Sequence, residues 1–242
     1  MKMKQFFSAV ILFQLATLSL AAVSEIQKKE AKIVEKYKKL DFYEINTDFM
    51  ESATQLIDAH QPVSFKYDFP VLKDELHLSI KYPVDRKFKV YTFDVGGGGT
   101  MGEFQSYVQF PTQLHLGLSE LETGYVQKID QVQLNKAPVY LIQSYFKGSS
   151  CVGTYSIQAF KVNNKKLIKA NVFHTKTKKL NTISVEYDCH NNSGEDQPYI
   201  QLSQDKKTLN LQFLDANGVP QPKQIRYVLK PNGYLYQGIY KK

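Results

Sequence analysis

Residues 138–146 read Pro-Val-Tyr-Leu-Ile-Gln-Ser-Tyr-Phe, and Val139, Tyr140, Leu141 and Ile142 are apolar without a break. Successive side chains of a β-strand point to opposite faces, so this run places apolar groups on both. Such a strand is central and covered from two sides. Residues 87–95 repeat the pattern with Phe88, Val90, Tyr91 and Phe93. Two strands of this kind call for a two-layer antiparallel β-sandwich or a closed, barrel-like domain rather than a single sheet.

The surrounding chain supports that reading. From Val63 to the C-terminus apolar residues recur with period two, as in Leu76, Leu78, Ile80 and Tyr82, and again in Phe104, Val108 and Phe110. Turn signals are spaced as in an all-β domain. Asn163-Asn164, Asn217-Gly218 and Asn232-Gly233 are the clearest, because Asn and Gly tolerate the positive φ of primed hairpin turns. A weak echo at an offset of about 50 residues, Val90-Tyr91 against Val139-Tyr140, each followed by a glycine turn, makes a small propeller the alternative architecture. Sixteen Tyr and fifteen Phe with no Trp fit a core of sheet-favouring aromatics.

Before Val63 the period is helical. Ile26, Ile33, Val34, Tyr37 and Leu40 share one side of a helical wheel, with Lys and Glu on the other. A second amphipathic helix starts at Thr47 or Asp48, buries Phe49, Ala53, Leu56 and Ile57, and stops before Pro62. Lys2 and Lys4, the apolar run Phe6–Leu20 and the small residues Ala21 and Ala22 form a secretory signal peptide. The expected organisation is a signal peptide over 1–21, a helical segment over 22–62 and an antiparallel β-domain over 63–242. The mature protein is therefore periplasmic or extracellular, with no stable membrane insertion after cleavage. In an oxidising compartment Cys151 and Cys189, the only cysteines, form a disulfide. Closing that loop stabilises the fold by about 4 kcal/mol in the chain-entropy model.

Catalytic signatures are missing their parts. Gly97-Gly98-Gly99-Thr100-Met101-Gly102 fits G-x-G-x-x-G, but a strand-like run follows where the dinucleotide fingerprint needs a helix. It reads as a glycine-rich hairpin loop whose bare backbone can face a partner. Ser144-Tyr145-Phe146-Lys147 fits S-x-x-K, which works on a helix; on a strand Ser144 and Lys147 point to opposite faces. His60, His77, His115, His174 and His190 show no local metal spacing. Glu186 with Asp188, and Glu195 with Asp196, are carboxylate pairs of the kind common on solvated surfaces. Neither a cofactor nor a resident metal is expected.

Charge is more informative. The chain carries +8, and loss of Lys2 and Lys4 with the signal peptide lowers that by two. No acid occurs between Asp130 and Glu186, while Lys136, Lys147, Lys161, Lys165, Lys166, Lys169, Lys176, Lys178 and Lys179 all do. Such a field attracts anionic partners. Lys161, Lys165, Lys166, Lys169, His174, Lys176, Lys178 and Lys179, together with Gly97, Gly98, Gly99 and Thr100, are the expected binding residues. Only Arg86 and Arg226 offer the bidentate contacts favoured by nucleic acid, so that partner is not expected. The leading expectation is a non-enzymatic exported protein that binds a protein or an anionic envelope component, for instance as an inhibitor or immunity-type protein. The alternative is a hydrolase acting on an envelope polymer. A carbohydrate-binding module is a third reading, with the absence of Trp against it, although Tyr also stacks on sugars.

Overall fold

The computed structural model describes residues 21–40, 47–96, 102–111, 118–191 and 198–242. The expected signal peptide, the Gly97–Thr100 stretch, His115, Glu195 and Asp196 lie outside or largely outside these residues. The protein is mainly β, with fifteen strands among the described residues. Helix α1 covers residues 21–37, and α2 covers Thr47–Ala59 with Asp48 in its first turn, where a carboxylate suits the helix dipole. Ile26, Val34 and Tyr37 of α1 and Phe49, Ala53, Leu56 and Ile57 of α2 are buried as their spacing requires. Leu40 lies beyond the end of α1 and is exposed.

The helical segment does not stop at residue 62. Two further short helices follow, α3 (Val63–Lys66) and α4 (Pro70–Leu76). Pro70 occupies the first turn of α4, where its missing N–H costs no hydrogen bond, and Leu72 and Leu76 bury one face. His77 closes α4 with φ 54°, exposed rather than alternating in a strand as its flanking leucines suggest. Strand pairing starts only at Ser79.

Three sheets then stack. Sheet A has the order β1 (Ser79–Lys81), β2 (Lys89–Asp94), β3 (Phe104–Gln109), β4 (Ser119–Leu121). Sheet B contains β5 (Tyr125–Leu134), β6 (Ala137–Lys147) and β7 (Val152–Asn163), with β8 (Lys166–Lys169) and β11 (Thr182–Asp188) sharing the far edge of β7. Sheet C runs β10 (Lys179–Leu180), β9 (Phe173–His174), β15 (Gly233–Lys241), β14 (Pro220–Lys230), β13 (Thr208–Leu214), β12 (Ile200–Leu202).

Alternation along β2 and β6 explains the layering. Tyr91 and Phe93 pack on the helices, whereas Val90 packs with Tyr140, Ile142 and Phe160 of sheet B. The intervening Val139 and Leu141 of β6 face sheet C, against Leu209, Leu211 and Tyr234. The order of layers is therefore helices, sheet A, sheet B, sheet C. Sheets B and C form an antiparallel sandwich, and two-sided burial of β2 is met by helices rather than by another sheet. A propeller would close the outer face of sheet A onto sheet C; here helices occupy that face.

One connection ties B to C. The backbone N–H of Ala159 donates to Asn181 O at 2.8 Å, and the N–H of Ala170 donates to Ala159 O at 2.8 Å. Strands β8 and β11 thus continue one another along β7, and residues 170–181 leave sheet B and return at a single residue. The detour places β9 beside β15, a parallel pairing among antiparallel neighbours, with Phe173 opposite Tyr234. At Gly233 φ is 140°, and an added Cβ would stand 2.2 Å from Val172 O. Gly233→Ala is therefore expected to destabilise the protein by about 2 kcal/mol or more, read as a lower urea midpoint, because it pushes β9 off β15.

Candidate functional site

Strand register decides which turns share an end. Leu134 pairs with Ala137, so Asn135-Lys136 turns β5 into β6, and Tyr140 opposite Phe160 brings the exit of β7 level with that turn. Asn164-Lys165 then turns β7 into β8. In sheet C, Lys230 opposite Gly233 and Thr208 opposite Val228 bring the β14–β15 turn and the β12–β13 turn together. The two sets of turns meet: Asn135 Nδ2 approaches Asn232 Oδ1 to 3.5 Å, and Lys206 Nζ reaches Gln131 O at 3.4 Å and Asp130 at 3.7 Å. One end of the sandwich thus gathers Lys136, Lys161, Lys165, Lys166, Lys206, Lys207 and Lys230.

Three of these lysines are held in the left-handed region, Lys136 at φ 64°, Lys165 at 57° and Lys206 at 60°. Both hairpins have positive φ at each central residue, Asn135 with Lys136 and Asn164 with Lys165. The second such position ordinarily takes glycine, since an L side chain there costs about 1 kcal/mol or more. Acids are scarce at this end. Asp130 is buried against Lys128 and Lys206, and Asp205 lies 4.0 Å from Lys207 with its carboxyl held below the usual range by hydrogen bonds from Ser203 and the Lys207 backbone. Among the described residues no carboxylate lies within ion-pair distance of Lys136, Lys161, Lys166 or Lys230.

The other expected binding residues divide around this end. Lys176, Lys178 and Lys179 are exposed on the detour, past the end of β9, with Lys176 Nζ 5.6 Å from the Tyr236 ring. His174 is half-buried and pairs with Lys179 across β9–β10. Lys169 points toward sheet A and is neutralised by Glu122 at 3.3 Å. Gly97–Thr100 lies outside the described residues, but it joins β2 to β3, with no helix after it, and the N–H of its neighbour Gly102 donates to Lys147 O at the opposite end of β6.

That opposite end holds the disulfide, Cys151–Cys189, which ties the start of β7 to the end of β11. His190 lies within 4.8 Å of both sulfurs. With the sulfurs bonded to each other, the imidazole is the one metal donor left, and its Nδ1 is 2.8 Å from Asp188. Hydrogen bonds from His190 hold the Asp188 carboxyl below its usual range. His60 is engaged with Leu56 O at 2.8 Å. Ser144 and Lys147 lie on opposite faces of β6, so S-x-x-K has no helical geometry here.

Two fully buried charges, beside the nearly buried Asp130, escaped the sequence reading. Glu30, 0% exposed, accepts the N–H groups of Val71 and Leu72 at 2.9 Å each and the hydroxyl of Tyr67, so α1 supplies the N-terminal cap of α4. Lys89, also 0% exposed, donates to Ser64 O at 3.2 Å and to Tyr67 O, which are carbonyls at the C-terminal end of α3. The rings of Tyr91, Phe69 and Tyr82 surround its ammonium at 4.8, 5.2 and 5.4 Å. Burial pushes the Lys89 pKa down to about 7; Asp68 opposes the shift, and Arg86 and Lys73 add to it. The cage is structural, since the ammonium is shielded on every side and already hydrogen-bonded. Glu30 falls between Ile26 and Val34 on the apolar stripe of α1, the one signal by which it could have been found.

No protein-family model matches the chain, and no curated protein or solved structure resembles it significantly.

Lys89 predicts a pH dependence of stability. Its folded pKa lies below that of the unfolded chain, about 10.4, so between about pH 7 and pH 10 the unfolded state binds more protons and stability rises with pH. The slope approaches about 1.4 kcal/mol per pH unit at most. Urea unfolding of the wild type between about pH 6 and pH 9.5 should show this rise, and Lys89→Met should flatten it. Buried tyrosines such as Tyr91 and Tyr234, whose hydroxyls burial pushes up, act in the opposite sense only above this range. A flat wild-type profile would contradict the assignment.

Proposed function

We propose that the protein is exported and serves as a binding protein, with the lysine-rich turn end of the β-sandwich as its contact surface and a partner that presents clustered negative charge. The partner is an acidic face of another protein or an anionic envelope component, and an inhibitor or immunity-type protein is the concrete form. The observation that carries this reading is the trio of lysines held at positive φ in adjacent turns. A turn selected for stability alone places glycine there, so charge retained at a conformational cost points to use of that charge. The leader-like residues 1–21 and the disulfide support export, and among the described residues no helix is long and apolar enough to cross a membrane.

The hydrolase reading has less support. It needs two carboxylates facing each other across a bound polymer. Asp188 is engaged by His190, Glu186 is exposed on the edge strand β11, and Glu120 and Glu122 come from one short segment and hence one wall.

The test separates stability from binding. Lys136→Gly and Lys165→Gly should each raise stability by up to about 1 kcal/mol, since glycine relieves the positive φ. The same changes should weaken retention on polyglutamate, on vesicles containing anionic phospholipid, or on lipopolysaccharide, whichever captures the wild type in a salt-dependent way. Lys161→Glu with Lys166→Glu and Lys230→Glu should abolish retention. Wild-type protein that binds none of these probes, or variants that bind unchanged, would overturn the proposal.

A further inference from the structure

The face of sheet B that looks toward sheet A changes character halfway along. Near the lysine end it is apolar, with Tyr140, Ile142 and Phe160 sealed under Val90 and Val108. Toward the disulfide it becomes hydroxylated in register on three strands. Ser144, Ser156 and Ser184 stand directly opposite one another across β6, β7 and β11, with Ser156 Oγ 2.9 Å from Ser184 Oγ. The next row outward is Phe146, Thr154 and Glu186, and the row inward is Ile142, Gln158 and Thr182. Over this platform the β4–β5 connection forms a second wall, held close by Gly124, where an added Cβ would stand 2.3 Å from Tyr145 O. The result is an open groove of about 520 Å³ between sheets A and B, lined by Phe104, Gln105, Glu120, Glu122 and Thr123 on one side and by Phe146, Thr154, Ser156 and Gln158 on the other.

Two polar atoms of these walls, Thr123 Oγ1 and Gln158 Oε1, are buried with no hydrogen-bond partner. Such groups cost about 1–3 kcal/mol each and occur rarely without a role. Both belong to side chains that line the groove. Phe146 is 50% exposed on the platform, an aromatic face left bare beside hydroxyls.

The lining selects its ligand by elimination. An apolar molecule would strand the serine row. An anion would meet Glu120 and Glu122, with Lys169 already committed to Glu122. A neutral polyhydroxylated chain satisfies both: its hydroxyls exchange hydrogen bonds with Ser, Thr and Gln and donate to the carboxylates, while its C–H face lies on Phe146. A row of polar side chains that crosses three strands matches an extended chain of sugar units better than a single small polyol. We infer that this groove is a binding site for a neutral oligosaccharide. The inference does not rest on the anionic partner proposed for the lysine end, which lies at the other end of the same strands.

The experiment is a titration of ¹⁵N-labelled protein, followed by amide shifts, with tetramers of α-1,4-glucose, β-1,4-glucose and N-acetylglucosamine and with a galacturonic acid trimer. One neutral tetramer should shift residues 144–146, 154–158 and 182–186 and leave the lysine turns unmoved, and the acidic trimer should leave the groove unshifted. Phe146→Ala and Ser184→Val should each weaken the binding by about tenfold at unchanged melting temperature, because both side chains are exposed. Absence of groove shifts with every neutral tetramer at about 10 mM, equal binding of the galacturonic acid trimer, or unchanged affinity in both variants would overturn it.

Discussion

Sheet B has no solvent face along the half of it that lies toward the lysine turns. Val139 and Leu141 require a layer on one side, Tyr140 and Ile142 require one on the other, and all four are fully buried. Everything else in the architecture answers this demand. Sheet C covers one side and sheet A the other, and sheet A, made apolar on its second face by Tyr91 and Phe93, draws in the helices. Four layers follow from two stretches of sequence that do not alternate.

The outermost of these junctions is also the most polar. Short helices leave unpaired backbone groups at each end, and α3 and α4 have few turns in which to offset them. A carboxylate from α1 takes up donors at the start of α4, and an ammonium from β2 takes up acceptors at the end of α3. Each charge comes from a different layer than the helix it completes, so capping doubles as docking. An isolated buried charge would destabilise the fold, but both Glu30 and Lys89 are hydrogen-bonded by groups that themselves need partners.

Most of this was legible where periodicity is strong. The two amphipathic helices, the doubly covered strands β2 and β6, the disulfide partners and the lysine-rich stretch can all be read from spacing and composition. Asn217-Gly218 lies in the β13–β14 turn as expected, but the other two turns were read one residue out of place: Asn164-Lys165 and Pro231-Asn232 hold the central positions, while Asn163 and Gly233 are already strand. Asn135-Lys136 carries no glycine and gave no signal. Helices α3 and α4 were missed because a seven-residue helix shows too little of its period to be told from an alternating strand, as the Leu76–Leu78–Ile80 run illustrates. Glu30 was counted with the polar face of α1 and Lys89 was not singled out, since burial of a charge depends on backbone groups brought from elsewhere in the chain. The serine row needs three strands in register, and register is a property of pairing rather than of any one segment.

The detour at Ala159 has a bearing on assembly. Phe173 must find Tyr234, 61 residues later in the chain, before β9 has any neighbour but β10. Sheet B is made of consecutive hairpins and can pair as it emerges, yet residues 170–181 hang from its edge as an open hook until β15 exists. The sandwich is therefore latched by one of its last strands, and a chain interrupted before Gly233 would display that hook, lysines outward, with nothing to close on.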